Sequence, residues 1–108
     1  MAERKRIKMM KLYDFRTEYR ENPIGLTDRT PRFSWKINSE EQNTIQTAYK
    51  INVTDENGNA VWNSGKKESD QSVLIPYEGE KLKDEMLYKV EVSVTDNHGN
   101  TESIEGTF

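Results

Sequence analysis

The sequence predicts an all-β protein, and three features lead to this prediction. Apolar and polar residues alternate with period two in several short segments. Turn-forming steps such as Asn-Gly and Ser-Gly separate these segments. No segment has the spacing of apolar residues, roughly 3.6 positions, that is typical of a helix. Seven such segments in one chain indicate a seven-stranded antiparallel β-sandwich of the fibronectin type III or immunoglobulin kind.

The first two predicted strands enclose a stretch rich in proline and glycine. We expect an extended strand from Lys11 to Tyr19. We expect an ordered loop from Arg20 to Pro31, because this segment contains the turn-forming residues Pro23, Gly25 and Pro31. Phe33 to Ile37 forms the second predicted strand. The side chains expected to face the core are Tyr13, Phe15, Thr17 and Tyr19 in the first strand and Phe33, Trp35 and Ile37 in the second.

The middle of the chain reads as a hairpin followed by a short strand. Gln46 to Asp55 alternates, with Tyr49, Ile51 and Val53 on one face, and Asn57-Gly58 favours a tight turn into Val61-Trp62. Ser72 to Tyr77 is the next predicted strand. Pro76 has no N–H group, so we expect it at a sheet edge or a strand end.

The clearest alternation lies near the C-terminal end. Leu87 to Asp96 places Tyr88, Val90, Val92 and Val94 on one face, and Asn97 to Asn100 turns the chain into a last strand, Thr101 to Phe108. Leu82 precedes Tyr88 by six residues. This spacing predicts a tyrosine corner, in which a buried phenol forms a hydrogen bond with the preceding loop.

Composition and charge exclude several classes of protein. The chain has 108 residues, 16 Lys+Arg, 19 Asp+Glu and a net charge of −3. It predicts one domain, with a frayed tail over residues 1–10 and a sandwich over residues 11–108. The mixed charges argue against a nucleic-acid partner. No apolar run has signal-peptide or membrane length and no cysteine is present, so we expect a cytoplasmic protein without a membrane partner.

No catalytic or metal-binding motif is complete. Asp55-x-Asn57-x-Asn59 resembles the start of a calcium loop, but the required sixth-position glycine is Ala60 and the twelfth-position glutamate is Lys66. His98 is the sole histidine and lies in a predicted turn. No carboxylate pair with distinct environments stands out. The sequence therefore predicts no catalytic residue, no metal and no cofactor.

Four segments in order resemble one known family. These segments are EYRENPIGLTDRTPRFSWKI, QTAYKINV, VWNSGKKESDQSVLIPYEGEKL and YKVEVSVTDNHGN, and the match runs from about Leu12 to Phe108. They are similar to the N-terminal module of bacterial α-L-rhamnosidases. In that family acidic residues of a later (α/α)₆ barrel remove terminal L-rhamnose with inversion, so the resemblance assigns no catalytic residue to this chain.

The resemblance implies a noncatalytic accessory β-sandwich of a rhamnosidase-like glycoside hydrolase, packed against later domains of the same polypeptide. The alternative is a carbohydrate-binding module for rhamnose-containing glycans. Contacts are expected in the segments Arg20 to Pro31 and Trp62 to Ser72 and at Tyr77; for both Trp62 and Tyr77 a place in the core is the other possibility. The candidate contact residues are Arg20, Asn22, Pro23, Trp62, Asp70, Gln71 and Tyr77.

Overall fold

The computed structural model describes residues 10–21, 27–40, 43–83 and 85–108. Over these residues the chain forms two antiparallel sheets that pack as a sandwich. The strands are β1 (Met10–Glu21), β2 (Thr27–Ser39), β3 (Gln46–Asp55), β4 (Ala60–Asn63), β5 (Ile75–Pro76), β6 (Tyr88–Asp96) and β7 (Thr101–Thr107). Sheet A has the order β1-β2-β5 and sheet B the order β4-β3-β6-β7. The prediction of a seven-stranded antiparallel sandwich is confirmed.

The alternating residues of the central strands form the core. Phe33 and Trp35 of sheet A and Ile51 and Val53 of sheet B are buried, as are Tyr88, Val90, Val92 and Val94. The period-two spacing predicts each of these residues on the inner face. Met10 is also fully buried and begins β1, so it lies in the sandwich rather than in the expected tail; residues 1–9 lie outside the described residues.

The orientation predicted for the start of β1 is wrong at Tyr13, and a β-bulge explains the error. Tyr13 pairs with Lys36 and Arg16 pairs with Ser34, so two residues of β1 lie opposite the single residue Trp35. Asp14 takes φ 51° at this bulge. The extra residue shifts the alternation by one position. Phe15 and Thr17 still face inward, whereas Tyr13 shares the outer face with Lys36.

The described part of the loop expected over Arg20 to Pro31 is strand. β1 continues to Glu21 and β2 begins at Thr27, with Arg20 paired to Asp28 and Tyr19 paired to Pro31. The antiparallel ladder thus extends past Pro31, because a register shift between Tyr19 and Arg20 absorbs the irregularity. Tyr19, expected inside, is exposed beside this second shift. The remainder of the expected loop, residues 22–26, lies outside the described residues.

β5 is shorter than the predicted strand Ser72 to Tyr77. Only Ile75 and Pro76 pair with β2, because Leu74 has φ 54° and interrupts the extended conformation. Single hydrogen bonds hold the preceding residues against β2, from Trp35 N to Ser72 O and from Leu74 N to Ser34 Oγ, both at 2.9 Å. Pro76 lies in the edge strand of sheet A, as predicted.

The tyrosine corner is confirmed. The backbone N–H of Lys83 donates to Tyr88 Oη at 2.7 Å, so the buried phenol fixes the loop that precedes β6. Tyr88 also pairs with Phe108 through two backbone hydrogen bonds, and their rings stack with centroids 5.4 Å apart. Phe108 thereby becomes part of the core packing.

Candidate interdomain contact surface

A row of aromatic rings crosses the sandwich from one open edge to the other. We call Phe15, Phe33, Trp62 and Tyr77 the aromatic row; neighbouring centroids are 6.0, 6.4 and 5.3 Å apart. Phe33 stands at its centre and is fully buried. Stacked and edge-to-face pairs at these distances stabilise a core beyond the area that they bury. The row connects β1, β2, β4 and the residue after β5.

Each end of the aromatic row requires a glycine. A Cβ on Gly106 of β7 would lie 2.5 Å from Phe15 Cδ2, and a Cβ on Gly79 would lie 2.6 Å from Tyr77 Oη and would overlap Trp62. Real Cβ atoms do not approach other atoms so closely. Glycine therefore permits the ring of Phe15 to close the edge between β1 and β7, and permits residues 77–80 to close the edge between β4 and β5.

Tyr77, a predicted contact residue, lies in the core with 7% of its surface exposed. Its hydroxyl donates to Glu80 O at 2.5 Å and lies 3.4 Å from Val61 O. Burial raises the pKa of Tyr77 to about 12, with smaller contributions from Tyr88 and Glu80. Trp62 is half-buried between Phe33 and Tyr77. For both aromatics the structure favours the core interpretation that the sequence left open.

The predicted contact residues Asp70 and Gln71 lie in an exposed loop that is held from inside the protein. Buried Gln46 accepts a hydrogen bond from Trp35 Nε1 at 2.9 Å, and its Nε2 donates to Ser69 O at 3.0 Å and to Gln71 O at 2.8 Å. Both the oxygen and the nitrogen of the amide are thus engaged. This link fixes the position of the loop, and the sequence contained no pattern that would identify Gln46 as the residue responsible.

The structure describes only the backbone of one of the other three candidate contact residues. Arg20 belongs to the end of β1, and its side chain lies outside the described residues, as do Asn22 and Pro23. The contact role of all seven candidates therefore stays a prediction. The candidates in the loop after β4 and those at the end of β1 lie on different parts of the chain, and no described contact joins them.

A surface that sequence reasoning missed lies on the outer face of sheet A. We call it the outer groove; it has a volume of about 240 Å³ and is lined by Asp14, Arg16, Glu18, Ser34, Trp35, Lys36 and Val73. The bulge in β1 forms one wall, and the strained segment before β5 forms the other. Two positive-φ residues, Asp14 and Leu74, thus lie at or beside one groove. Only an anticipated bulge would have revealed this surface from sequence.

Ion pairs organise the outer groove. Asp14 Oδ1 accepts a hydrogen bond from Arg16 Nε at 3.0 Å, and Asp14 Oδ2 lies 3.1 Å from Lys36 Nζ. Hydrogen bonds from Arg16 and then from Lys36 lower the pKa of the Asp14 carboxyl. One carboxylate therefore holds two cations in place across β1 and β2, and both cations remain largely exposed to solvent.

The calcium-like turn at Asp55 and the similar turn at Asp96 use their side-chain oxygens within the protein. Asp55 Oδ1 accepts hydrogen bonds from the backbone N–H groups of Asn57 and Asn59, both at 2.9 Å. Asp96 Oδ1 does the same with His98 at 2.9 Å and Asn100 at 2.8 Å. Although burial opposes ionisation, these hydrogen bonds lower the pKa of Asp96. Among the described residues no cluster of His, Asp and Glu could hold a metal ion. The described part of the chain also contains no helix long and apolar enough to cross a membrane.

The sheet order, the tyrosine corner and the two edge closures define an immunoglobulin-like β-sandwich. Residues 12–107 match the family described as "Rha78A-like, N-terminal immunoglobulin domain". The chain belongs to this family of N-terminal immunoglobulin domains. The resemblance inferred from the sequence is confirmed.

Relatives and solved structures agree with this assignment. The chain is 40% identical over 86 residues to an alpha-L-rhamnosidase of Streptomyces avermitilis, covering 76% of the chain and 8% of that protein. It is 40% identical over 90 residues to an alpha-L-rhamnosidase of Formosa agariphila, covering 78% of the chain and 9% of that protein.

Two solved rhamnosidases contain the same fold. The Streptomyces avermitilis alpha-L-rhamnosidase complexed with L-rhamnose has a TM-score of 0.76 and 34% identity, over 91% of this chain and 10% of that one. The alpha-L-rhamnosidase from Dictyoglumus thermophilum has a TM-score of 0.73 and 33% identity, over 90% of this chain and 12% of that one. The chain therefore spans about a tenth of the length of the rhamnosidases that it matches.

Proposed function

We propose that this chain is a noncatalytic accessory domain of an α-L-rhamnosidase-like glycoside hydrolase, and that its role is architectural. The observation that carries the proposal is the combination of family and length. The family match spans residues 12–107, whereas the same stretch makes up only 8% to 12% of the matched rhamnosidases. The domain would act by packing against other domains of the same polypeptide.

The chemistry of the described residues supports a noncatalytic role. Inverting glycosidases hold two carboxyl groups roughly 6.5–9.5 Å apart in a sheltered cleft, and one of the two has a raised pKa. Here the carboxylates with a shifted pKa, Asp14, Asp55 and Asp96, all have a lowered pKa and are engaged by neighbouring donors. Such groups are poor proton donors at neutral pH.

The packing of Trp62 and Tyr77, the two aromatics considered for sugar contact, supports this proposal over a sugar-binding module. A sugar platform needs an exposed ring. Tyr77 is buried and Trp62 is packed between two rings, so neither presents a free face of the kind that sugar stacking requires.

Two measurements on the isolated chain test the proposal. We expect no turnover of an aryl α-L-rhamnoside and no saturable heat on titration with L-rhamnose, with a complete α-L-rhamnosidase as the positive control in both assays. Turnover that copurifies with the folded chain would overturn the noncatalytic assignment. Saturable binding that is lost in Trp62→Ala would instead establish the carbohydrate-binding alternative.

A further inference from the structure

The two outer faces of the sandwich differ in their apolar content. On sheet A, Tyr13 is 48% exposed, and the segment leading into β5 exposes Val73 at 60% and Leu74 at 37%. On sheet B, the outward positions of β6 and β7 are polar throughout: Lys89, Glu91, Ser93, Thr95, Thr101, Ser103, Glu105 and Thr107. Exposed apolar side chains that cluster beside a groove are typical of an interaction site rather than of a solvated face.

The backbone beside the outer groove is strained in a way that keeps these side chains exposed. Leu74 adopts φ 54°, a left-handed conformation that is unfavourable for a bulky side chain. An extended residue 74 would continue β5 along β2. The hydrogen bond from Leu74 N to Ser34 Oγ instead stabilises the irregular segment, and Val73 remains at the rim of the groove.

The charged residues beside the groove remain accessible to a partner. Asp14 is the shared acceptor of Arg16 and Lys36, and both cations are largely exposed. Glu18 is the other acidic residue in the lining of the groove. A carboxylate on a facing surface would therefore meet two exposed cations that share one acceptor.

We infer that the outer groove, with Tyr13 beside it and Val73 at its rim, is the docking surface for another domain of the same polypeptide. This inference rests on the proposed function. The partner surface inserts an apolar side chain beside Val73 and brings a carboxylate toward Arg16 and Lys36. The combination of an aliphatic rim at Val73 with two exposed cations favours a protein partner. About nine-tenths of each matched rhamnosidase lies outside the region that this chain covers.

The test uses thiol labelling, because the chain contains no cysteine. Val73→Cys probes the outer groove, and Ser103→Cys on the outer face of sheet B is the matched control. Each variant is made both in the isolated chain and in the complete product of its gene. The rate of alkylation at each position is read by mass spectrometry of the peptide that carries it, so that cysteines elsewhere do not interfere.

Docking predicts that the thiol of Val73→Cys reacts at least about tenfold more slowly in the complete product than in the isolated chain, while the thiol of Ser103→Cys reacts equally in both. Equal rates at position 73 would overturn the inference. Protection at position 103 alone would also overturn it, yet would leave the architectural function standing with the opposite face as the contact. A gene product without further domains would instead remove the proposed function itself.

Measurements on the isolated chain distinguish two other occupants. Slower labelling of Val73→Cys on addition of millimolar L-rhamnose would assign the groove to a glycan and overturn domain docking. Labelling that slows as the protein concentration rises, together with a dimer in sedimentation, would assign the outer groove to a second copy of the chain. That result would also overturn domain docking. Rates independent of both additions are the expected result.

Discussion

At the scale of single residues, Tyr77 shows how a side chain at a strand end is drawn into the core. Its place after Pro76 leaves its burial open in the sequence, since a single aromatic at the end of a short strand has no periodicity to orient it. The deciding contact is local: Gly79 has no Cβ, so the chain can bend over the ring and Glu80 O can accept from the Tyr77 hydroxyl.

Burial of Tyr77 predicts an alkaline loss of stability. Its pKa is raised to about 12, mainly by burial, whereas an unfolded tyrosine titrates at about 10. The folded state therefore favours the neutral phenol, and this stability is complete below about pH 10 and is lost as the pH rises toward about 12. Between urea unfolding at about pH 9 and about pH 12, the wild type should lose about 2–3 kcal/mol more than Tyr77→Phe. Parallel losses in the two proteins would contradict the assignment.

The close approach of Phe15 to Gly106 predicts the effect of a substitution on stability. Gly106→Ala should destabilise the protein by about 1–3 kcal/mol because its Cβ would collide with the ring of Phe15. Phe15→Leu removes that ring and should relieve part of the clash. A double-mutant cycle by chemical denaturation should therefore give a coupling energy of about 1 kcal/mol in the direction of rescue. Strictly additive effects would show that Phe15 does not determine the need for glycine.

At the scale of elements, the alternation of apolar and polar residues predicted the buried strands. It failed where a β-bulge interrupts the regular strand conformation. β6 has one inward residue at every second position from Tyr88 to Val94, and nothing in it interrupts the period. In β1 the bulge at Asp14 reverses the face of Tyr13, and Asp14 differs from its neighbours by no feature that marks a bulge in advance. The same bulge forms the outer groove, which explains why that surface could not be predicted.

The side chain of Gln46 connects β3 to β2 and to the loop at Ser69 and Gln71. Its substitution by glutamate should make the stability of the fold depend on pH. In Gln46→Glu a buried carboxylate would face two carbonyl oxygens, so burial and these acceptors should raise its folded pKa above the unfolded value of about 4.3. The protonated form then stabilises the fold at low pH, and that stability is lost as the pH rises through the folded pKa.

We therefore expect Gln46→Glu to be destabilised relative to wild type by about 1–3 kcal/mol more at neutral pH than at about pH 4. Urea denaturation of both proteins at each pH measures this difference. Gln46→Leu serves as the control, since it removes the same hydrogen bonds without adding a charge. A pH-independent deficit in Gln46→Glu would mean that the side chain turns out to solvent.

At the scale of the whole molecule, the fold follows from local patterns, whereas the candidate site follows from tertiary contacts. Period-two segments and turn residues were enough to predict a sandwich, because every buried strand presents one apolar face. The sequence left Trp62 open between a contact segment and the core, and in the structure it lies between Phe33 and Tyr77. That placement depends on residues distant in sequence, which no local pattern contains.

We propose that this domain supports a larger enzyme without taking part in its chemistry. The most direct measurement compares the complete gene product with a version that lacks residues 10–108, recording the unfolding temperature and the kcat/KM for an aryl α-L-rhamnoside per folded molecule. The account predicts a lower unfolding temperature with kcat/KM unchanged. An unchanged unfolding temperature with a loss of kcat/KM would contradict it, because the domain would then act on the substrate rather than on the architecture.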